Sequence, residues 1–177
     1  MKTIVVYYSH TGNNEFLARR LAADLGCEAE AIVPRGKAFG GQLMANMLGL
    51  ATRTAPLSRD LAGYDRVVLV GPIWMGRAAA PLRGFLKAAR KKLRSLSFVS
   101  CCGSDDKGKD DTFGYTKAFD SLRTLAGGAL SACYALPIGL VAKDGEQPNI
   151  MELRLDENSF AGAARGRYDG IVKELRG

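Results

Sequence analysis

Three segments of the chain are apolar almost without interruption: Thr3 to Tyr8 (TIVVYY), Arg66 to Val70 (RVVLV) and Leu96 to Cys101 (LSFVSC). Continuous runs rich in β-branched and aromatic residues predict strands covered on both faces, as in a parallel sheet with helices on each side. Cys27 to Val33 (CEAEAIV) is less apolar and predicts a strand at the sheet edge. Leu130 to Val141 (LSACYALPIGLV) predicts a long last strand, with Pro137 at its edge or at a bulge.

Helical spacing fills the intervals. Leu17, Leu21 and Leu25 recur at four-residue steps, flanked by Ala18 and Ala22 and ended by Gly26. Between Phe39 and Thr52, the positions Leu43, Met44, Met47, Leu48 and Ala51 make a stripe interrupted by Gly40, Gly41 and Gly49. That stripe is expected to pack into the core, with a Met-rich partner surface as the alternative. Pro81 to Leu93 turns Leu82, Phe85, Leu86, Ala89 and Leu93 inward; Tyr115, Phe119, Leu122 and Leu125 mark a fourth helix. A final helix from about Asn158 carries Phe160, Ala164, Tyr168, Ile171, Val172 and Leu175. Residues 143 to 157 between the last strand and that helix read as a polar excursion. Five strands alternating with five helices predict an α/β fold with a parallel sheet and helices on both faces, one domain over residues 1–177.

The first strand breaks into Ser9-His10-Thr11-Gly12-Asn13-Asn14, and a helix follows at once. Strand, short polar loop and helix is the geometry that aims unpaired helical N–H groups and the positive end of the helix dipole at an anion. Ser9, Thr11, Asn13 and Asn14 are expected to add side-chain donors, and Gly12 admits the backbone closely. The loop holds no Lys or Arg and only one Gly. It therefore lacks the lysine of a nucleoside-triphosphate loop and the three glycines of a dinucleotide loop. A neutral, hydroxyl-rich loop suits a phosphate monoester; an ordinary capping turn without a ligand is the other reading.

A second segment, Gly71-Pro72-Ile73-Trp74-Met75-Gly76-Arg77-Ala78-Ala79-Ala80-Pro81, follows the third strand and contains the only Trp of the chain. A Trp placed where a strand's carboxyl end opens into a loop lies where open α/β sheets bind ligands. The alternative is a Trp that plugs the end of the sheet. Behind the fourth strand, Cys102 to Asp111 forms a glycine- and charge-rich loop.

These two loops carry a resemblance to the flavodoxin family. Ser9-x-Thr11-Gly12-x resembles its FMN-phosphate loop, with Asn14 where a Thr or Ser is usual. Gly71 to Pro81 resembles its flavin-binding loop. The resemblance covers essentially the whole chain and implies a flavodoxin-like, doubly wound three-layer sandwich, with five parallel strands in the order 2-1-3-4-5. It implies FMN as cofactor, with Ser9, His10, Thr11, Gly12, Asn13 and Asn14 around the phosphate. Trp74 would stack on the isoalloxazine, and Pro72, Ile73, Met75 and Gly76 would lie near its edge. Cys102 and Gly103 would approach from the third loop. The aromatic that the family often places there is missing; Phe113 and Tyr115 come late. His10, the sole histidine, occupies the variable position of the phosphate loop, either serving the phosphate or facing solvent.

Composition adds bounds. An apolar share of 47% with 24% charged residues is ordinary for a globular domain. No run reaches membrane-spanning length, and Met1-Lys2-Thr3 enters the first strand directly, so a cytoplasmic location without a signal peptide is expected. Cys27, Cys101, Cys102 and Cys133 lack metal-binding spacing and read as reduced thiols. The net charge is +7, whereas the resembled family tends to be acidic. The cations concentrate at Lys87, Arg90, Lys91, Lys92 and Arg94, and at Arg165, Arg167, Lys173 and Arg176, on helical faces turned to solvent; acidic partners or anionic substrates are the sharper alternative. No aromatic-interleaved basic groove suggests nucleic acid. The functional expectation is electron transfer with a redox protein partner. The alternative is an NAD(P)H-dependent reductase of quinones or similar small acceptors, with hydride arriving at the open face of the flavin.

Overall fold

The computed structural model of the protein describes residues 1–36, 38–142 and 149–177. In chain order its principal elements are β1 (Thr3–Tyr7), α1 (Asn13–Leu25), β2 (Glu28–Ala31), α2 (Phe39–Met47), β3 (Arg66–Val70), β4 (Ile73–Trp74), β5 (Arg77–Ala78), α3 (Ala80–Ala89), β6 (Leu96–Cys102), α4 (Tyr115–Ala126), β7 (Leu130–Pro137) and α5 (Gly162–Arg176). Five strands form one parallel sheet in the spatial order β2-β1-β3-β6-β7, the 2-1-3-4-5 order of the flavodoxin-like fold. β4 and β5 make a separate two-stranded antiparallel hairpin.

The continuous apolar runs behave as their composition requires. Ile4, Val5, Val6, Val68, Leu69, Val70, Phe98 and Val99 are fully buried, because side chains leave both faces of the sheet into packed layers. On one face Val5, Val68 and Val99 meet Leu17 and Leu21 of α1 and Tyr168, Ile171 and Leu175 of α5. On the other, Ile4, Leu69 and Phe98 meet Leu82, Phe85 and Leu86 of α3 and Phe119 and Leu122 of α4. β2 pairs only with β1 and is largely exposed, the edge position that its charged sequence predicts.

The helices expected over Phe39–Thr52 and Pro81–Leu93 end earlier, at Met47 and Ala89, and two boundaries near the end of the chain move as well. The last strand ends at Pro137, paired with Cys102, and Ile138–Val141 continues as a 3-10 turn, because Pro137 has no N–H for a further rung. The final helix starts at Gly162; Asn158 and Ser159 instead donate their backbone N–H groups to Asp156 Oδ1 in a turn, at 2.9 and 2.8 Å. Of the polar excursion between them, residues 143–148 lie outside the described residues.

α2 inverts its predicted face. It turns Gln42, Ala45 and Asn46 inward and leaves Met44 and Met47 more than half exposed, with Leu48 and Leu50 beyond its end exposed too. The body beneath α2 is polar. Gln42 Oε1 accepts from the Tyr8 hydroxyl at 2.5 Å, and Asn46 Nδ2 donates to the Trp74 carbonyl at 2.8 Å. The buried Arg83 guanidinium donates to Asn46 Oδ1 at 3.2 Å and to the Leu50 carbonyl at 2.6 Å. Satisfying these groups outweighs burying the methionines, since an unpaired buried polar group is worse than an exposed thioether. The expectation that the stripe packs into the core is therefore corrected.

Candidate functional site

The chain leaves β1 toward β2 on one side and returns through β3 on the other, so a crevice opens at the carboxyl ends of β1 and β3. The segments that follow β1, β3 and β6 converge there.

The first of these, Ser9 to Gly12, delivers the N-terminus of α1. Gly12 is the helix cap in the left-handed region, φ 93°, a conformation that strains any residue with a Cβ. Its N–H donates to Ser9 Oγ at 3.1 Å, which holds the loop tight. No side chain caps α1, and the first helical bond runs from the Phe16 N–H to the Gly12 carbonyl at 2.9 Å. The N–H groups of Asn13, Asn14 and Glu15 consequently have no helical acceptor, and the dipole adds partial positive charge at that end. Thr11 and His10 are exposed beside them.

Asn13 and Asn14 do something else with their side chains. Asn14 Nδ2 donates to the Cys101 carbonyl at 3.0 Å, and its Oδ1 accepts from the Cys101 N–H at 2.9 Å. Asn13 Nδ2 donates to the Leu153 carbonyl at 3.2 Å, and its Oδ1 accepts from the Leu155 N–H at 2.9 Å. Both amides are buried and engaged with backbone, so the expected side-chain donors here are replaced by main-chain ones. Asn suits these positions because its amide donates from one atom and accepts at another, so it meets a backbone C=O and a backbone N–H of the same extended segment at once.

The second segment is a tight hairpin rather than an open loop. Trp74 pairs with Arg77, and the turn residues Met75 and Gly76 both have positive φ, 52° and 68°, as a two-residue primed turn requires. Gly76 is required twice over: a Cβ there would lie 2.6 Å from the Thr112 carbonyl oxygen. Pro72 closes the base, its carbonyl accepting from the Ala79 N–H at 3.0 Å. Ile73 is half-buried against the α3/α4 face of the core.

Trp74 is half-buried in an aromatic cluster. Its ring meets Tyr8 (centroids 5.9 Å), Phe39 (5.6 Å) and His10 (6.4 Å) edge to face. His10 lies flat on Phe39, 3.6 Å apart and 3° from parallel. His10 thus joins the crevice wall while remaining exposed. Phe39 belongs to this wall too, although nothing local in its sequence marks it; it arrives through the tertiary placement of α2.

The third segment runs from Cys102 to Gly114. Cys102 is buried, its thiol directed at the Ser104 carbonyl 3.6 Å away, and burial pushes its pKa up to about 12. What Cys102 offers the crevice is therefore backbone, not a reactive sulfur. Gly103 is exposed and lines a cavity of about 650 Å³ with Ser104, Asp111, Phe113, Gly139 and Ile150. The loop folds back so that Thr112 and Phe113 abut Gly76, with Phe113 63% exposed. An aromatic that comes late in sequence is thereby returned to the crevice, a placement that spacing alone does not reveal. Asp106 fastens the loop below: it accepts from the Tyr115 hydroxyl at 2.6 Å and pairs with Arg167 of α5. Those partners, Tyr115 first, hold its carboxyl below the usual range.

The arrangement can hold an anion on uncharged N–H and hydroxyl groups and set a planar group against an aromatic wall. Comparison with solved structures places the architecture. A flavoprotein from Lactobacillus acidophilus, solved in complex with FMN, superposes with a TM-score of 0.60 at 15% identity over 76% of this chain and 92% of that one. A flavodoxin from Fusobacterium nucleatum bound to flavin mononucleotide gives 0.52 at 15% identity over 99% and 98%. The chain has the flavodoxin-like fold. A WrbA-like flavodoxin from Agrobacterium tumefaciens gives 0.51 at 17% identity over 99% and 97%. No protein-family model matches the sequence, and no curated protein matches it significantly.

Proposed function

We propose that the protein binds FMN in this crevice and acts in electron transfer. The observation that carries the reading is the N-terminus of α1, uncapped by any side chain and opening beside the Trp74 aromatic cluster at the switch point of the sheet. FMN pairs a phosphate monoester with a flat ring, and two of the solved relatives of the same fold hold it.

Bound FMN would supply the redox chemistry. The chain's part is binding and setting. Backbone N–H groups of Asn13, Asn14 and Glu15, with the hydroxyls of Ser9 and Thr11, would receive the phosphate. Trp74 and the backbone of Ile73, Met75 and Gly76 would border the ring, with Gly103 and Phe113 across from them. The buried thiols of Cys101 and Cys102, both pushed up by burial, offer no nucleophile at neutral pH, which favours electron transfer over covalent chemistry.

One observation supports a second reading. The cavity of about 650 Å³ beside Gly103 and Ile150 is of a size that accepts a small organic acceptor, as an NAD(P)H-dependent reductase of quinones requires. Anaerobic addition of NADPH to the FMN-loaded protein separates the two. Persistence of the yellow absorption, with rapid reoxidation of chemically reduced protein by a redox protein, supports the carrier; bleaching within seconds supports the reductase. A protein that takes up no FMN refutes both.

A further inference from the structure

The outward face of α2 is a built surface rather than a stray exposure. Met44 (57% exposed), Met47 (56%), Leu48 (65%) and Leu50 (55%) stand together over one short helix and its end, while the polar side of that helix is fixed beneath. Arg77 adds a clamp, its Nη1 donating to the carbonyls of Asn46 and Met47 at 3.4 and 3.3 Å. The patch begins at the crevice, because Phe39 at the start of α2 stacks on His10 and touches Trp74. Its charge is one-sided: from Val33 to Ser58 the sequence holds Arg35, Lys37 and Arg53 and no Asp or Glu. Several cations elsewhere are paired in place, Arg94 on Asp65, Lys92 on Asp60, Arg165 on Asp169 and Arg167 on Asp106, while Lys87, Arg90 and Lys91 at the end of α3 are not, among the described residues. Among the described residues Arg35, Arg53 and Arg77 have no carboxylate partner.

We infer that this face is the docking surface for an acidic redox protein that meets the chain with an apolar patch rimmed by carboxylates. The redox character of the partner rests on the electron-transfer reading; its acidity rests on the charges alone. Met, Phe and Arg are the residue types enriched at protein interfaces, and unbranched methionines adapt to a partner's shape. Like charges disfavour a second copy through the same face, since two such faces would bring Arg77 against its equivalent, in a segment, residues 33–58, that holds cations and no carboxylate. A lipid surface is less well matched, because α2 between Phe39 and Met47 carries no Lys or Arg of its own, as interfacial helices do. Docking here would bring a partner to the rim where Phe39 and Met75 stand exposed.

The test is a titration of the isotopically labelled full chain, with and without FMN, followed by amide chemical shifts. The probes are the acidic soluble domain of cytochrome b5 and the basic cytochrome c. The expected result is saturable binding of the acidic probe, shifts centred on residues 39–50 and 75–77, and weakening with added salt. Met44→Gln with Met47→Gln is expected to weaken binding about tenfold, with unchanged fold by circular dichroism and unchanged FMN affinity. No saturable binding, equal binding of the basic probe, or shifts centred on α3 or α5 overturns the inference. So does a dimer that this double variant dissociates, or its loss of co-flotation with phosphatidylglycerol vesicles where the protein probe has no effect. FMN affinity is read on the same samples, so a chain that docks the acidic probe yet takes up no FMN refutes the electron-transfer reading and leaves the acidic docking face standing.

Discussion

Asn14 spans from the start of α1 to Cys101 of β6, its amide donating to the Cys101 carbonyl at 3.0 Å and accepting from the Cys101 N–H at 2.9 Å. One side chain therefore fixes the helix N-terminus against a strand two positions across the sheet. The uncapped N–H groups at the start of α1 take their position from it.

Asn14→Thr is expected to destabilise the fold. Threonine cannot reach across to satisfy both groups of Cys101, and a buried backbone donor or acceptor left unpaired costs about 1–3 kcal/mol. Urea unfolding of the two proteins measures this; an unchanged midpoint would show that water or a neighbour replaces the amide.

The two turn glycines should differ in their response to alanine. At Gly12 no atom obstructs a Cβ, so the cost is conformational, about 1–2 kcal/mol for the left-handed backbone. At Gly76 the same penalty adds to a contact of 2.6 Å with the Thr112 carbonyl, which moves the third segment away. Gly76→Ala is therefore expected to lower the thermal midpoint more than Gly12→Ala. The reverse order would mean that the Thr112–Phe113 segment yields freely.

Alkaline pH should unfold the protein early. All six tyrosines, at positions 7, 8, 64, 115, 134 and 168, have phenols raised above their ordinary value, with burial the first cause in each. A raised folded value keeps the proton on the folded state while the unfolded chain loses it near pH 10. This stabilisation is complete below pH 10 and drains as pH rises through the folded values, Tyr115 at about 12. Stability from denaturant titrations should fall between pH 10 and 12, and Tyr115→Phe should flatten that slope. A flat profile in the parent protein would contradict the burial of these hydroxyls.

Much of the fold is legible in the sequence, for a definite reason. Val67 to Val70 and Phe98 to Cys101 lie in central strands covered on both faces, so apolar runs and parallel pairing coincide. Trp74 declares itself by standing at a strand end. α2 is not legible, because hydrophobic periodicity presumes a greasy neighbour, and here Tyr8, Arg83 and the Trp74 carbonyl demand amides. Asn13 and Asn14 mislead in the same way: their donors are recognisable, but the backbone segments that claim them, at Leu153–Leu155 and in β6, are over eighty residues away. Phe39 and Phe113 reach the crevice through long-range packing that no local motif encodes.

The central claim is that this crevice binds FMN. Trp74 is the only tryptophan, so its fluorescence reports on the site alone. Titration of the apoprotein with FMN should quench that emission saturably at one equivalent. Trp74→Ala should weaken binding, followed by flavin fluorescence, by about 1–3 kcal/mol, the value of a stacked aromatic. Absence of saturable quenching, with the flavin's own fluorescence unchanged, would contradict the account at its root.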